Sequence, residues 1–322
     1  MNFDLLDKIS SKYKDYKIEK IKSEASKRTF YRLIKDSNSY ICLDSSNEKK
    51  EYKNFLKVYT YLSKANVSIP EIYENDDDNN ILILEDFGNL RFDKILKDYP
   101  LKNLLEYAVK TLIILKNDID YNNSQDLNVY NYNTFKSEIS EFNDFYYPYV
   151  HNKEIPNDLK EEFYRSWQVY YNSINFDFSS FVHKDFNINN LMYLSSRKDH
   201  LRCGLLDFQN AFWGDCCWDL FSLLEDSRIY FNDQYNDYFI KLYYDSTNQN
   251  IEYSDFIEKY SMLNCSRQTR LLGRWVKLSK ELNQSFYLDF IEITKKRLVN
   301  GIREINRKDL KLIYKKLIPG LF

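Results

Sequence analysis

Between residues 181 and 192 the chain reads Phe181-Val182-His183-Lys184-Asp185-Phe186-Asn187-Ile188-Asn189-Asn190-Leu191-Met192. Short apolar runs that flank polar, turn-forming residues are strand ends joined by a loop. Asp185 and Asn190 stand five apart in that loop, and seventeen residues beyond Asn190 a second carboxylate follows in Leu205-Leu206-Asp207-Phe208-Gln209. The apolar pieces Leu191–Leu194 and Leu205–Leu206 predict a small hairpin within 181–207. A loop followed by a hairpin can bring Asp185, Asn190 and Asp207 around one point.

Those are the side-chain types that phosphoryl transfer requires. One carboxylate must orient an attacking hydroxyl and accept its proton, while an amide oxygen and a second carboxylate hold the Mg²⁺ that bridges the phosphates. Taken singly, the same residues have ordinary structural readings: a buried histidine, a loop aspartate, an Asx-turn asparagine. Their order between apolar strands is what marks a site.

Upstream, the segments around Tyr16–Lys22, Thr29–Ile34 and Ser39–Leu43 are short and rich in β-branched and aromatic residues, as strands are. A helix is predicted over Glu48–Ala65, with Phe55, Leu56, Tyr59 and Leu62 on one face. Ile69–Tyr73 and Ile81–Asp86 flank the polar turn Glu74–Asn80 and predict a β-hairpin. That turn is acidic but lacks the glycine and distal glutamate of a calcium loop, so it reads as solvated. From Phe87-Gly88 onward the periodicity becomes helical, over Leu101–Asn117 and then 134–147, 158–174, 231–245, 252–262, 266–282 and 286–315. Neither an internal repeat nor a low-complexity linker interrupts the chain. The pattern predicts an α+β chain: a strand-rich lobe over 1–88, a hinge near Glu85–Asn89, and a larger, mainly helical lobe over 89–322.

Bulk properties narrow the partners. A net charge of -2 over 322 residues supplies no basic field to attract nucleic acid. Apolar stretches such as Leu112–Leu115 are too short to span a bilayer, so no membrane association is expected. The N-terminal segment is charged throughout and carries no export signal. Five cysteines without a Cys-x-x-Cys spacing fit a reduced, cytoplasmic compartment. Zinc is not expected, because the chain has three histidines and none lies close to a cysteine pair. Abundant tyrosine beside scarce glycine reads as AT-rich codon usage, and Trp213 and Trp218 read as core.

The catalytic stretch resembles the kinase-like phosphotransferases, which include aminoglycoside phosphotransferases and choline kinases. Their signature is His-x-Asp-x-x-x-x-Asn followed by Ile/Leu-Asp-Phe/Trp. The Asp207-Phe208-Gln209 string is similar to the small-molecule branch, and so is Trp213-Gly214-Asp215-Cys216-Cys217-Trp218-Asp219-Leu220. Within that branch, several strings are similar to bacterial kinases acting on the anomeric hydroxyl of N-acetylmuramate and N-acetylglucosamine. These are Ala25-Ser26-x-Arg28-x-x-Tyr31-Arg32, Leu82-x-Leu84-Glu85-Asp86-Phe87-Gly88, Glu138-x-x-x-Phe142-x-x-Phe145-Tyr146, Leu206–Ala211, Asp219–Asp226, and Arg267-Gln268-x-Arg270-Leu271-Leu272-Gly273.

The resemblance implies a protein-kinase-like two-lobed fold, ATP and Mg²⁺ as cofactors, and a small-molecule acceptor, an amino sugar met in cell-wall recycling. It implies Asp185 as catalytic base, Asn190 and Asp207 as Mg²⁺ ligands, and Ser26, Arg28, Glu85 and Phe87 beside the nucleotide. Glu138 and Arg267 would face the acceptor, and His183 and Asp219 would brace the catalytic loop. By the same resemblance, 1–88 would bind the nucleotide and 89–322 would hold the catalytic loop and acceptor pocket.

Two departures stand out. Gly88 is the first glycine, so no glycine-rich phosphate loop precedes it, and the Ser26/Arg28 turn is expected to approach the phosphates instead. The strand Ser39–Asp44 lacks the lysine that reaches ATP in many kinases, which leaves the phosphate-binding cation unassigned. Choline, ethanolamine or aminoglycoside acceptors stay open, since Glu138, Glu141, Asp144, Glu225 and Asp226 could build an acidic pocket. A nucleotide-binding pseudokinase stays open through the missing lysine. In favour of an uncharged or anionic sugar, Arg267, Arg270 and Arg274 have spacings that put them near one helix face.

Overall fold

The computed structural model describes residues 11–21, 28–121, 126–229, 234–247, 250–305 and 307–321. They form two compact units: one of residues up to Ile119 plus Ile188–Ala211, the other of Asp120–Asn187 plus Phe212 onward. The expected boundary after residue 88 marks where strand gives way to helix. Compactness draws a different line, because the helix Leu101–Asp118 packs on the turn Asp199–Arg202 and the strand Cys203–Leu205, which belong to the first unit.

The first unit is built on a five-stranded antiparallel sheet. Its strands are β1 (Lys17–Ile21), β2 (Thr29–Lys35), β3 (Asn38–Asp44), β4 (Ile72–Asp76) and β5 (Ile81–Glu85), ordered β1-β2-β3-β5-β4. Every apolar residue of Ile81–Leu84 is buried, so β5 is covered on both faces and carries a continuous apolar run instead of an alternating one. Asp36 turns the β2–β3 hairpin at φ 54°, and Asn80 closes the β4–β5 turn at φ 54°. Both are residue types that tolerate the left-handed region. Helix α1 (Lys49–Leu62) buries Tyr52, Phe55, Val58 and Leu62, and α2 (Leu101–Asp118) buries Leu104, Leu105, Ala108, Val109, Leu112 and Leu115.

A second hairpin, β7 (Leu191–Tyr193) with β8 (Cys203–Leu205), completes this unit. It is tied in by Leu205 N donating to Ser68 O at 2.8 Å and Tyr193 N donating to Leu90 O at 2.7 Å. Gly204 is required here: a Cβ would lie 2.7 Å from the Phe87 ring.

The second unit is mainly helical. It contains α3 (Tyr132–Glu141), a π-type turn (Phe142–Tyr146), α4 (Tyr147–His151), α5 (Asn157–Ser173) and the strand pair β6 (Ser180–Val182) with β9 (Phe212–Gly214). Helices α6 (Trp218–Leu224), α7 (Gln234–Ser246), α8 (Tyr253–Glu281), α9 (Ile291–Glu304) and α10 (Lys308–Leu317) follow. Phe135, Phe142, Phe163, Trp167, Tyr170 and Tyr314 are fully buried at its centre.

Two local expectations change. The predicted helices 252–262 and 266–282 are one 29-residue helix, because the polar residues Asn264 and Ser266 are buried and hydrogen-bonded within α8 rather than breaking it. The predicted helix 286–315 is two helices, parted where Ile305 turns extended and buries its side chain. Phe181-Val182, outside the 191–205 hairpin, pairs with Phe212-Trp213.

Candidate active site

In the first unit the β7–β8 hairpin carries two of the candidate residues. Asn190 precedes β7 and Asp207 follows β8, and Leu206 N donates to Asn190 O at 3.0 Å, so both emerge at the same end. Asp207 sits at φ 62°, a conformation that costs an L-residue roughly 1–2 kcal/mol and persists where the surroundings fix it. What fixes it is Phe208, wholly buried with its ring 4.7 Å from Phe55 of α1. The carboxylate of Asp207 stays 40% exposed. Its Oδ1 accepts from Arg28 Nη2 at 2.7 Å and from Gln209 Nε2 at 2.9 Å. An amide and a carboxylate at one hairpin end are hard oxygen donors, a set that suits Mg²⁺.

The hinge segment is held by arginines. Arg32 of β2 pairs with Asp86 at 2.7 Å and donates to Gly88 O at 2.9 Å. Arg197 pairs with Glu85 at 2.6 Å and lies 5.1 Å over the Phe87 ring. The Glu85 side chain is thus engaged, and its backbone N–H already donates to Glu71 O at 2.8 Å. Ser26 lies outside the described residues.

In the second unit, β6 delivers the loop that carries His183 and Asp185. Asp219, in the first turn of α6, fixes the loop backbone: His183 N donates to one carboxylate oxygen at 2.6 Å and Lys184 N to the other at 3.0 Å. Lys184 takes φ 80°, which turns the chain so that Asp185 follows it out of the strand line. Burial pushes the Asp219 carboxyl up to about 7, opposed by those two N–H donors and raised further by the Asp185 charge. The His183 ring is fully buried edge-on to Phe186. Asn187 folds back under the loop, its N–H and side-chain amide both donating to Asp185 O, at 2.9 and 3.0 Å.

The arginine face of α8 packs against α3. Arg270 pairs with Glu138 at 3.0 Å, and Tyr130 OH donates to the other Glu138 oxygen at 2.9 Å. Arg274 pairs with Glu141 at 2.6 Å. Arg267 is drawn down to about 10 by burial, against the pull of Asp226 and Asp185, and its Nη1 is buried without a hydrogen-bond partner among the described residues. Sequence reading did not reach Tyr130, Arg197 or the clamp by Arg32. Arg32 stood in the matched N-terminal string, but neither spacing nor charge tied it to the hinge. A further cluster, Asp215 with Cys216 and Cys217, has ligand atoms within 4.8 Å of one another. There Lys259 Nζ sits 2.8 Å from Asp215 Oδ2, and burial holds the Cys217 thiol well above its ordinary range, so the donors suit an internal ion pair rather than a metal.

Residues 147–250 match the phosphotransferase enzyme family, APH. The N-acetylmuramate/N-acetylglucosamine kinase of Neisseria meningitidis serogroup B is 24% identical over 320 residues, covering 95% of this chain and 89% of that protein. Among solved structures, choline kinase LicA from Streptococcus pneumoniae superposes with a TM-score of 0.59 at 14% identity, over 93% of this chain and 99% of LicA. ADP-bound aminoglycoside phosphotransferase APH(2'')-Ib gives 0.62 at 14% identity, over 92% and 99%. The α+β architecture, with an N-terminal sheet and a mostly helical C-terminal part, is the one these enzymes share. The chain is therefore a small-molecule kinase that is similar to the APH phosphotransferase family over residues 147–250 and has the protein-kinase-like fold of choline kinases and aminoglycoside phosphotransferases.

Proposed function

We propose that this kinase transfers the γ-phosphate of ATP, with Mg²⁺, to the anomeric hydroxyl of an N-acetylated amino sugar, N-acetylmuramate or N-acetylglucosamine, in cytoplasmic cell-wall recycling. Asp185 accepts the proton of the attacking hydroxyl. Asn190 and Asp207 hold the Mg²⁺, which neutralises charge on the phosphates. Ser26, Arg28, Glu85 and Phe87 attend the nucleotide within the 1–88 lobe. Glu138 and Arg267 attend the acceptor within 89–322, and His183 and Asp219 keep the loop in register.

The observation that carries the acceptor assignment is the state of Glu138. Both its oxygens are taken, by Arg270 and by Tyr130, so it has no charge to spare for an ammonium. The same face presents Arg267, whose buried Nη1 awaits an acceptor. A sugar hydroxyl or a lactyl carboxylate satisfies that donor, and a cationic amine does not. The curated relative named above points to the same acceptors.

A phosphoryl-transfer panel with N-acetylmuramate, N-acetylglucosamine, glucose, choline and kanamycin tests this, run on the wild type and Asp185→Asn. We expect the N-acetylated sugars to lead and the variant to lose about two to four orders of magnitude in turnover while still binding ATP. Preference for choline or kanamycin overturns the sugar assignment, and near-normal turnover by Asp185→Asn removes the base.

A further inference from the structure

We propose that Gln209 is a positioning residue for the divalent cation. Its amide NH₂ clamps one oxygen of Asp207 so that the other faces the metal, and its carbonyl oxygen takes a hydrogen bond from a water of the cation's hydration shell. This rests on the kinase reading above, in which Asp207 is a Mg²⁺ ligand.

Gln209 is 4% exposed and follows the wholly buried Phe208, in a turn closed by Ala211 N donating to Phe208 O at 3.0 Å. Its Nε2 donates to Asp207 Oδ1 at 2.9 Å, and Arg28 Nη2 donates to that same oxygen at 2.7 Å. Asp207 Oδ2 receives no donor among the described residues, although the carboxylate is 40% exposed. Only the NH₂ end of an amide can face a carboxylate, so the chemistry sets which end of Gln209 is which. The other end, Oε1, is buried and has no hydrogen-bond partner among the described residues.

A magnesium ion demands near-octahedral geometry at short oxygen distances and keeps several of its waters. A carboxylate free to turn offers such an ion two equivalent oxygens. With two donors on Oδ1 the turning is stopped, and Oδ2 is the oxygen whose lone pairs stay open. Side chains that orient a metal's ligands through hydrogen bonds set affinity nearly as much as the ligands do. The unpartnered Oε1 carries the second half of the role. A buried acceptor without a donor is unfavourable, and Asp207, itself an acceptor, cannot supply one. Water bound to a divalent cation is a strong donor, because the cation draws electron density from it. Oε1 belongs to the same amide that grips Asp207, so it stands beside whatever Asp207 binds.

The test titrates Mn²⁺ by electron paramagnetic resonance in the presence of ADP, into the wild type, Gln209→Met and Asp207→Ala, and records the thermal midpoint of each protein without metal. Methionine matches glutamine in length but carries neither the NH₂ donor nor the carbonyl acceptor. Gln209→Met should bind Mn²⁺ with ADP about ten- to a hundredfold more weakly than wild type, the loss that removing an outer hydrogen bond to a metal ligand brings. Its metal-free midpoint should stay level or rise, because the buried acceptor without a partner is gone. If Gln209→Met does not fold, Gln209→Leu is held to the same two outcomes. Unchanged affinity in the folded variant, with Mn·ADP binding intact in wild type and lost in Asp207→Ala, overturns the positioning role and leaves the kinase reading standing. A metal-free midpoint lowered in both variants makes Gln209 a support of the fold and overturns the role as well. Absence of Mn·ADP binding in wild type overturns both readings.

Discussion

Asp219 shows how one buried side chain sets both loop geometry and pH response. Its two oxygens accept the N–H groups of His183 and Lys184, which holds the backbone from which Asp185 projects. Burial raises its carboxyl to about 7, whereas an unfolded aspartate titrates near 3.9. Between about pH 4 and pH 7 the native chain keeps a proton that the unfolded chain has released. Stability from this group is therefore full below pH 4, declines as pH rises through that window, and levels off above it; the change is at most about 4 kcal/mol. Asp219→Asn is neutral throughout, so it should flatten the slope. It should also cost about 1–3 kcal/mol at low pH, because an amide hydrogen then faces a backbone N–H. Urea unfolding of both proteins at about pH 5 and about pH 8 checks this. An equal pH slope in the two proteins would assign the titration to another group.

At the scale of elements, the close approach of α8 to the π-type turn decides where the arginine face lies. Gly273 makes that approach possible: a Cβ there would overlap the carbonyl oxygen of Glu141, a backbone atom that cannot swing aside. In an open helix, Gly→Ala gains about 1 kcal/mol. Here we expect Gly273→Ala to destabilise by about 1–3 kcal/mol instead, as overpacking does, and to loosen the Arg274–Glu141 pair. A rise in the urea midpoint would refute the close-contact account. The sequence string Arg267-Gln268-x-Arg270-Leu271-Leu272-Gly273 held this glycine, yet nothing in it foretold the contact, whose partner lies in another helix.

The legible parts were those set by local pattern. Alternation and short apolar runs announced β1 to β3 and the β7–β8 hairpin, and 3.6-residue spacing announced α1 and α2. The illegible parts depend on partners distant in sequence. No local signal says that Phe181-Val182 pairs with Phe212-Trp213, that Asn264 and Ser266 are buried inside one long helix, or that Arg270 and Tyr130 close on Glu138. Family resemblance marked Glu138 and helical spacing marked the arginines as candidates, but neither could tell an open carboxylate from a satisfied one.

At the scale of the whole molecule, the chain passes between its two units after Ile119, after Asn187 and after Ala211, so neither unit is one continuous segment. The first unit shows what this means for folding. Its N-terminal part, through Ile119, lacks the β7–β8 hairpin, and without it α1 loses Phe208 from against Phe55 and Gly204 no longer bridges Ser68. Leu191, Leu205 and Phe208 are all fully buried, and removing such side chains from a core costs about 1.5–3 kcal/mol each in lost apolar burial. That sum is comparable to the net stability of a domain, about 5–15 kcal/mol. A fragment of residues 1–119 should therefore lack a cooperative thermal transition, and one cut at residue 88 should fare worse because it also loses α2. Joining 1–119 to 188–211 through a flexible Gly/Ser linker restores the missing strands at the modest entropic cost of closing a loop, so it should recover a cooperative melt. Circular dichroism against temperature on the two fragments reads the difference. A cooperative melt of 1–119 alone, matching that of the linked version, would mean that the hairpin is an appendage and that the fold divides where strand gives way to helix.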